Sequence, residues 1–154
     1  MERTLVLIKP DGVQRGLVGE IVSRFEKKGL KMAGCKMISL DEAILREHYA
    51  HIADKPFFPG VANFMKSSPV IAMVWEGLEC VEAVRLITGV TKGRTADAGT
   101  IRGDFAMSVS CNVIHTSDTV ENAEKEVARF FNSDELFAYY KSEYEHVYNE
   151  EERA

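Results

Sequence analysis

A chain of 154 residues, 45% hydrophobic and 28% charged, has the size and make-up of one globular domain with a sizeable core. Its net charge of −5 argues against a nucleic-acid binder driven by bulk positive charge. No apolar run approaches the ~20 residues that a membrane helix needs. Three widely spaced cysteines, Cys35, Cys80 and Cys111, form no Cys-x-x-Cys pair, which argues against a zinc site or a disulfide framework. The first strand starts so close to Met1 that no signal peptide is expected, and the composition fits a cytoplasmic protein.

Thr4–Ile8 is a short apolar run of β-formers, stopped by the turn signal Pro10-Asp11-Gly12, with Lys9 at the strand's end. Gly19–Gly29 reads as an amphipathic helix with Ile21, Val22 and Phe25 inward. Leu30–Leu40 is a looser strand interrupted by Gly34, and Ser39-Leu40-Asp41-Glu42 has the form of a capping box opening a helix to about Ile52. The proline-flanked bend from Asp54 to Gly60 ends that helix and exposes the aromatic pair Phe57 and Phe58. A helical stretch from Val61 to Ser67, a strand from Pro69 to Trp75 and a helix from Cys80 to Thr88 follow.

From Gly89 to Gly103 runs a long loop without apolar periodicity, a length that usually signals function or disorder. Ser108–Ile114 then reads as a half-buried strand with Val109, Cys111 and Val113 on one face. Asp118 to Glu121 has cap spacing for a helix from about Thr119 to Phe131, and Ser133-Asp134-Glu135 caps a last short helix. Residues 141–154 form a charged tail. No repeat divides the chain, so one domain is expected, with an α+β sandwich of ferredoxin-like type: a four-stranded antiparallel sheet with helices packed on it.

His115 sits between the expected strand end and helix start, where unpaired N–H groups favour phosphate. A neutral imidazole there is able to attack a phosphoryl group and hold it covalently, although a histidine bonded only to its neighbours would read the same. The loop before it adds weight. From Arg85 to Arg102 four cations (Arg85, Lys92, Arg94, Arg102) face one acid, Asp97, a net +3 inside an acidic protein. Guanidinium forks match phosphate oxygens, and Thr91 and Thr100 offer hydroxyl donors, though a solvated basic loop or a subunit contact fits as well. No Gly-rich phosphate cradle is present, so side chains must hold any polyphosphate. His48 and His51, with Asp54 near, have the outline of a metal site but no evident further ligand.

Lys9-Pro10-Asp11-Gly12-Val13-Gln14-Arg15-Gly16 opens a series of stretches shared with one family. Arg24–Gly29, Glu47-His48-Tyr49, Pro56-Phe57-Phe58, Met73–Gly77, Gly99–Phe105 and Asn112–Asp118 continue it. In these, over nearly its full length, the chain resembles the nucleoside diphosphate kinases. The resemblance implies ping-pong transfer of the γ-phosphate of a nucleoside triphosphate, typically ATP, to a nucleoside diphosphate through phosphohistidine, sustaining nucleotide pools. It implies that His115 is the nucleophile, with Glu126 on its other ring nitrogen and Ser117 supporting that carboxylate. Tyr49 and Lys9 would contact the phosphoryl group. Arg85, Thr91 and Arg102 would hold phosphates, Lys9 and Asn112 the sugar hydroxyls, and Phe57 with Val61 the base. Val109 completes that nucleotide-binding set. A base held by stacking is not read by its edge, so broad base specificity follows. No protein-held metal is implied: Mg²⁺ would arrive on the nucleotide, held by phosphates and water. A homohexamer, alternatively a tetramer, is implied as well.

Two readings compete: a nucleotide-binding regulator that has lost catalysis, and a phosphohistidine relay. The first has no need of both His115 and Glu126, and the second none of the nucleotide clamp. Gly93 and Ala98 depart from the family pattern, standing where many members carry proline. If Gly93 has φ near −65° and a free N–H, Gly93→Pro is expected to stabilise the fold by about 0.4–1 kcal/mol.

Overall fold

The computed structural model describes residues 1–153. Four strands, β1 (Glu2–Ile8), β2 (Lys31–Ile38), β3 (Val70–Gly77) and β4 (Ile114–Thr116), pair antiparallel in the order β2-β3-β1-β4. This is the ferredoxin-like α+β arrangement expected from the order of elements. β1 is central and buried on both faces from Thr4 to Ile8. The two-residue period of the strand then divides its side chains between two cores. Leu5 and Leu7 pack with Leu45, Phe58, Met65, Val127 and Phe130, while Val6 and Ile8 pack with Ile21, Phe25, Trp75, Val84 and Ile101.

Helices supply both cores. On the first face lie α3 (Glu42–His48), α4 (Phe58–Lys66) and α7 (Val120–Phe130); on the second lie α2 (Val18–Lys27), α5 (Cys80–Thr88) and α6 (Ile101–Phe105). A short α1 (Pro10–Gln14) replaces the expected turn after β1. Proline at the first helical position loses no hydrogen bond, so the same residues that signal a turn start a helix. The remaining helix, α8 (Tyr144–Val147), lies in the tail and is tied to the sheet: Tyr144 Oη donates to Glu76 O at 3.2 Å and Lys141 Nζ to Leu30 O at 2.9 Å.

Several expectations are corrected. Phe57 is 58% exposed but Phe58 only 1%, because α4 begins at Phe58 and turns it into the core. The helix after Asp41 stops at His48, short of Ile52. Residues Ser133–Glu135 form only a 3-10 turn, boxed by Asn132. Ser108–Ile114 is not a strand: pairing with β1 starts at Ile114, and Val109 and Cys111 are exposed. Ser108 Oγ accepts from the N–H groups of Ser110 and Cys111, pulling that segment into a bend.

The long loop is also more ordered than its composition suggests. It contains a 3-10 turn at Gly93–Thr95 and then α6, capped by Thr100. Gly93 is buried, its N–H donates to Ser108 O at 3.2 Å, and a Cβ there would lie 2.3 Å from Ala106 O. The condition for a stabilising proline is therefore not met.

Candidate active site

The antiparallel register sets Leu7 opposite His115 and Ile8 opposite Ile114. His115 thus lies inside β4, correcting its expected place after a strand. Alternation buries Ile114 in the second core and turns His115 toward α3 and α7. The strand begins abruptly because Val113 has φ 61°, with Ile114 N–H donating to Asn112 O at 2.8 Å. This is a strained γ-turn in a β-branched residue, the kind of backbone found where a site is over-determined by its surroundings. Asp11 Oδ2 accepts from Val113 N at 3.0 Å, and Val113 O accepts from Lys9 N at 2.9 Å. Together they hold the turn from both sides.

Glu126, on α7, meets the nucleophile candidate. His115 Nε2 lies 3.1 Å from Glu126 Oε2, and Ser117 Oγ donates to the same oxygen at 2.6 Å. Burial works to raise the Glu126 pKa, but the hydrogen bond from His115 and its electrostatic pull, the bond from Ser117 and the proximity of the His48 ring outweigh it and hold the carboxyl at about 2. An ionised carboxylate only accepts, so the proton must sit on His115 Nε2 and the lone pair on Nδ1. That is a nucleophile with a fixed tautomer. The helix that carries Glu126 is capped by Thr119, not Asp118: Thr119 Oγ1 accepts from Asn122 N at 3.1 Å.

His115, Tyr49, Thr91 and Glu126 share a cleft of about 600 Å³ with Asp118, Asn122 and Lys125. Burial first, then Glu126, pushes the Tyr49 phenol up to about 12, so it remains a donor at working pH. Beside this cleft lies a linked set of phosphate-binding candidates. Lys9 Nζ donates to Asn112 Oδ1 at 2.7 Å, and Asn112 Nδ2 donates to Thr91 O at 2.9 Å. Burial and the nearby Arg102 push Lys9 down to about 8. Arg102 is itself buried, and donates to the carbonyls of Asn112, Gly89 and Ile114 at 3.4, 3.0 and 2.6 Å. Burial and the charge of Arg85 lower it to about 10. Cations held this close, each resisting its own charge, favour an anion among them.

Residues 2–136 match the family model for nucleoside diphosphate kinase. The nucleoside diphosphate kinase of Parabacteroides distasonis is 55% identical over 139 residues, covering 90% of this chain and 91% of that one. Nucleoside diphosphate kinase A of Homo sapiens is 52% identical over 138 residues, with 90% and 91% covered. The chain belongs to the nucleoside diphosphate kinase family. A halophilic nucleoside diphosphate kinase from Halobacterium salinarum, solved in complex with CDP, superposes with a TM-score of 0.93 at 49% identity, covering 96% of this chain and 99% of that one. A Babesia bovis family member gives 0.93 at 41% identity, with 96% and 100% covered. The protein is accordingly a kinase that phosphorylates nucleoside diphosphates, as the sequence resemblance implied.

Within this kinase, the structure joins His115, Glu126 and Ser117 directly, and Lys9, Asn112, Thr91 and Arg102 through side-chain and backbone bonds. Arg85 is exposed on α5 and lines an adjoining cavity of about 680 Å³ that shares Asp118 with the first. Phe57, Val61 and Val109 stand apart. Phe57 and Val109 are exposed apolar side chains at the N-cap of α4 and on the bend before β4, while Val61 packs against the first core. Three neighbours of the site were not anticipated in their roles: Asp11, His48 and Arg129. His48 is buried against His115, with ring centroids 4.5 Å apart, whereas His51 and Asp54 are exposed. The Glu126-x-x-Arg129 spacing on one helix face was the available signal for Arg129.

The shift at Lys9 has a measurable consequence. Below about pH 8 Lys9 is protonated and offers a charge to phosphate; above it the free enzyme loses that charge. Nucleotide Kd is therefore expected to rise by about tenfold per pH unit above 8, with Lys9→Arg flat over the same range. Isothermal titration across pH 7–9.5 checks this; a flat wild-type profile assigns phosphate binding to other groups.

Proposed function

We propose that this kinase carries the γ-phosphoryl group on Nδ1 of His115. The observation that supports the reading most is the pairing of His115 Nε2 with the ionised Glu126, which leaves the Nδ1 lone pair free. Nδ1 attacks the γ-phosphorus, the N–P bond forms, and the bond to the bridging oxygen breaks to release a nucleoside diphosphate. A second diphosphate then attacks the phosphorus with a terminal oxygen, the N–P bond breaks, and a new triphosphate leaves. Phosphoryl transfer asks mainly for position and positive charge. Lys9, Arg102, Arg85 and Thr91 supply the clamp, Tyr49 a donor to the group in transit, and Asn112 with Lys9 the sugar contacts. Phe57, Val61 and Val109 offer the base an apolar face without edge readout, which supports broad base specificity.

Kinases of this family need a divalent metal. We take it to be Mg²⁺ carried on the nucleotide. The donor set supports that: the carboxylate touching His115 is Glu126, its Oε2 already taken by His115 and Ser117, while Lys9, Arg102 and Asn112 stand on the phosphate side and Asp118 is the carboxylate that the two cavities share. A hard cation of this kind keeps phosphate and water ligands, and when bound it offsets phosphate charge. We further propose one catalytic domain acting in the cytoplasm as a homo-oligomer, a hexamer with a tetramer as the alternative; family likeness supports this. Among the described residues no helix is long and apolar enough to cross a membrane.

Incubation with ATP and Mg²⁺ alone is expected to add one phosphoryl mass to the protein, and GDP to remove it as GTP. His115→Ala should accept none. Label that persists in that variant, or that GDP fails to discharge, removes the covalent mechanism.

A further inference from the structure

Glu126 has two oxygens and more than two suitors. Oε2 serves His115 Nε2 and Ser117 Oγ, whereas Oε1 lies 3.8 Å from Nδ1 of His48, just outside hydrogen-bond range. His48 is edge-on to His115 and its side chain is 1% exposed. A proton on His48 Nδ1 would offer Glu126 a second N–H donor and draw the carboxylate away from His115. The tautomer of His48 therefore decides how firmly the nucleophile is held.

We propose that Arg129 is a positioning residue for phosphoryl transfer, acting by holding His48 in its Nε2–H tautomer so that Glu126 stays on His115. The inference rests on the assignment of His115 and Glu126 made above. Arg129 Nη1 lies 3.3 Å from His48 Nδ1. A guanidinium has donors only, so His48 Nδ1 must present its lone pair and the proton must reside on Nε2. His48 Nε2 is buried and without a hydrogen-bond partner among the described residues. A buried, orphaned N–H is costly, and it persists here because the other nitrogen is committed. Arg129 is aimed by a second bond, from Nε to Glu47 Oε1 at 3.0 Å, and Glu47 directly precedes His48 on α3. On α7, Arg129 lies three residues after Glu126, so one helix face carries both the carboxylate and the group that protects it.

Three of the ionisable groups around His48 favour its neutral form, and Glu126 opposes them. Glu47 shares its helix, and Tyr49 and His51 follow in the turn after it; His115 faces it from β4, and Glu126 and Arg129 face it from α7. Burial first, then His115, with Arg129 and His51 adding, pushes His48 down to about 3 against the pull of Glu126. Neutral His48 is therefore the resting form, and Arg129 selects which neutral form it is.

The test compares Arg129→Met and Arg129→Lys with the parent, each also in a His48→Gln background. Three readouts are needed: nucleotide Kd, the single-turnover rate of phosphoenzyme formation across pH, and the ¹⁵N spectrum of His48. Arg129→Met is expected to slow phosphoenzyme formation about tenfold at unchanged Kd and to mix the His48 tautomers. Arg129→Lys should recover part of the rate, and in His48→Gln the Arg129→Met exchange should add little. A change in Kd with the rate preserved would make Arg129 a phosphate contact and overturn the proposal. So would an equal loss in the His48→Gln background, or a protonated Nδ1 on His48 in the parent. Should Arg129→Met fail to fold, Glu47→Gln loosens the same guanidinium, and an unmixed His48 spectrum there overturns it equally. The His48 spectrum is read on resting protein, so it separates this inference from the assignment of His115: a parent that takes no phosphate sinks the assignment and the inference with it, whereas a parent that takes phosphate on His115 with a proton on His48 Nδ1 sinks this inference alone.

Discussion

Exchange of Glu126 for glutamine is expected to lower kcat by about 10²–10⁴-fold while leaving nucleotide Kd close to the parent's. The carboxylate now fixes the proton on His115 Nε2 from 3.1 Å. An amide of the same shape can turn its NH₂ toward that nitrogen instead, moving the proton to Nδ1 and quenching the lone pair that attacks phosphorus. Glutamine also gives up the charge that favours an imidazole losing electron density to phosphorus. Ser117 Oγ, which donates to Glu126 Oε2 at 2.6 Å and accepts from Leu5 N at 3.4 Å, would keep the side chain in place, so the loss is electronic rather than structural. Single-turnover kinetics with ATP, beside equilibrium binding of ADP, separate the two quantities. A variant with parental kcat would mean that Glu126 neither orients nor charges the nucleophile.

Gly93→Pro is expected to destabilise the fold by about 2–4 kcal/mol, the reverse of what the family pattern suggests. The exchange removes the hydrogen bond from Gly93 N–H to Ser108 O, worth about 1 kcal/mol. It also inserts atoms where a Cβ alone would lie 2.3 Å from Ala106 O and 2.7 Å from Ala106 Cβ, an overpacking cost of about 1–3 kcal/mol. At this chain length the sum corresponds to a fall in Tm of about 5–15 °C. Gly93→Ala keeps the N–H and isolates the steric part. Thermal melting of both variants decides the matter; an unchanged or higher Tm for the proline variant would show that the loop relaxes around the contact with Ala106.

Which parts of this architecture a sequence discloses depends on how local their causes are. The five buried residues of β1 declare themselves by composition, and the helix Cys80–Thr88 by its periodicity and by Gly89 after it. The break at Val113 is different. Its positive φ is imposed by Asp11 and Lys9, about a hundred positions away, so the segment before His115 reads as strand although it is bent. Phe57 and Phe58 are the same residue type in adjacent positions, and only the starting point of α4 decides which one is buried. Asp118 and Thr119 are both good caps, and the choice falls to Thr119 because Asp118 accepts from the side chain of Asn122 instead.

The site divides along the same line. His115, Glu126 and Ser117 are close in sequence and on adjoining elements, so the stretch that motif resemblance singles out also holds the three side chains that the structure brings into contact. His48 pairs with His51 when the sequence is read alone, because nothing in its own neighbourhood reveals that α3 packs against β4 and α7. Arg102 looked like a free phosphate hook, yet three backbone carbonyls already use it. It braces the loop and the start of β4 while two of its five N–H groups remain for a ligand.

The central claim is that Glu126 holds Nε2 and thereby makes Nδ1 of His115 the attacking atom. The measurement that meets it most directly is ³¹P–¹⁵N correlation on the phosphoenzyme, prepared with ATP, Mg²⁺ and ¹⁵N-labelled protein, since it reports which ring nitrogen bears phosphorus. Phosphorus is expected on Nδ1 of His115, with Nε2 still protonated. Phosphorus on Nε2, or on any other residue, would contradict it.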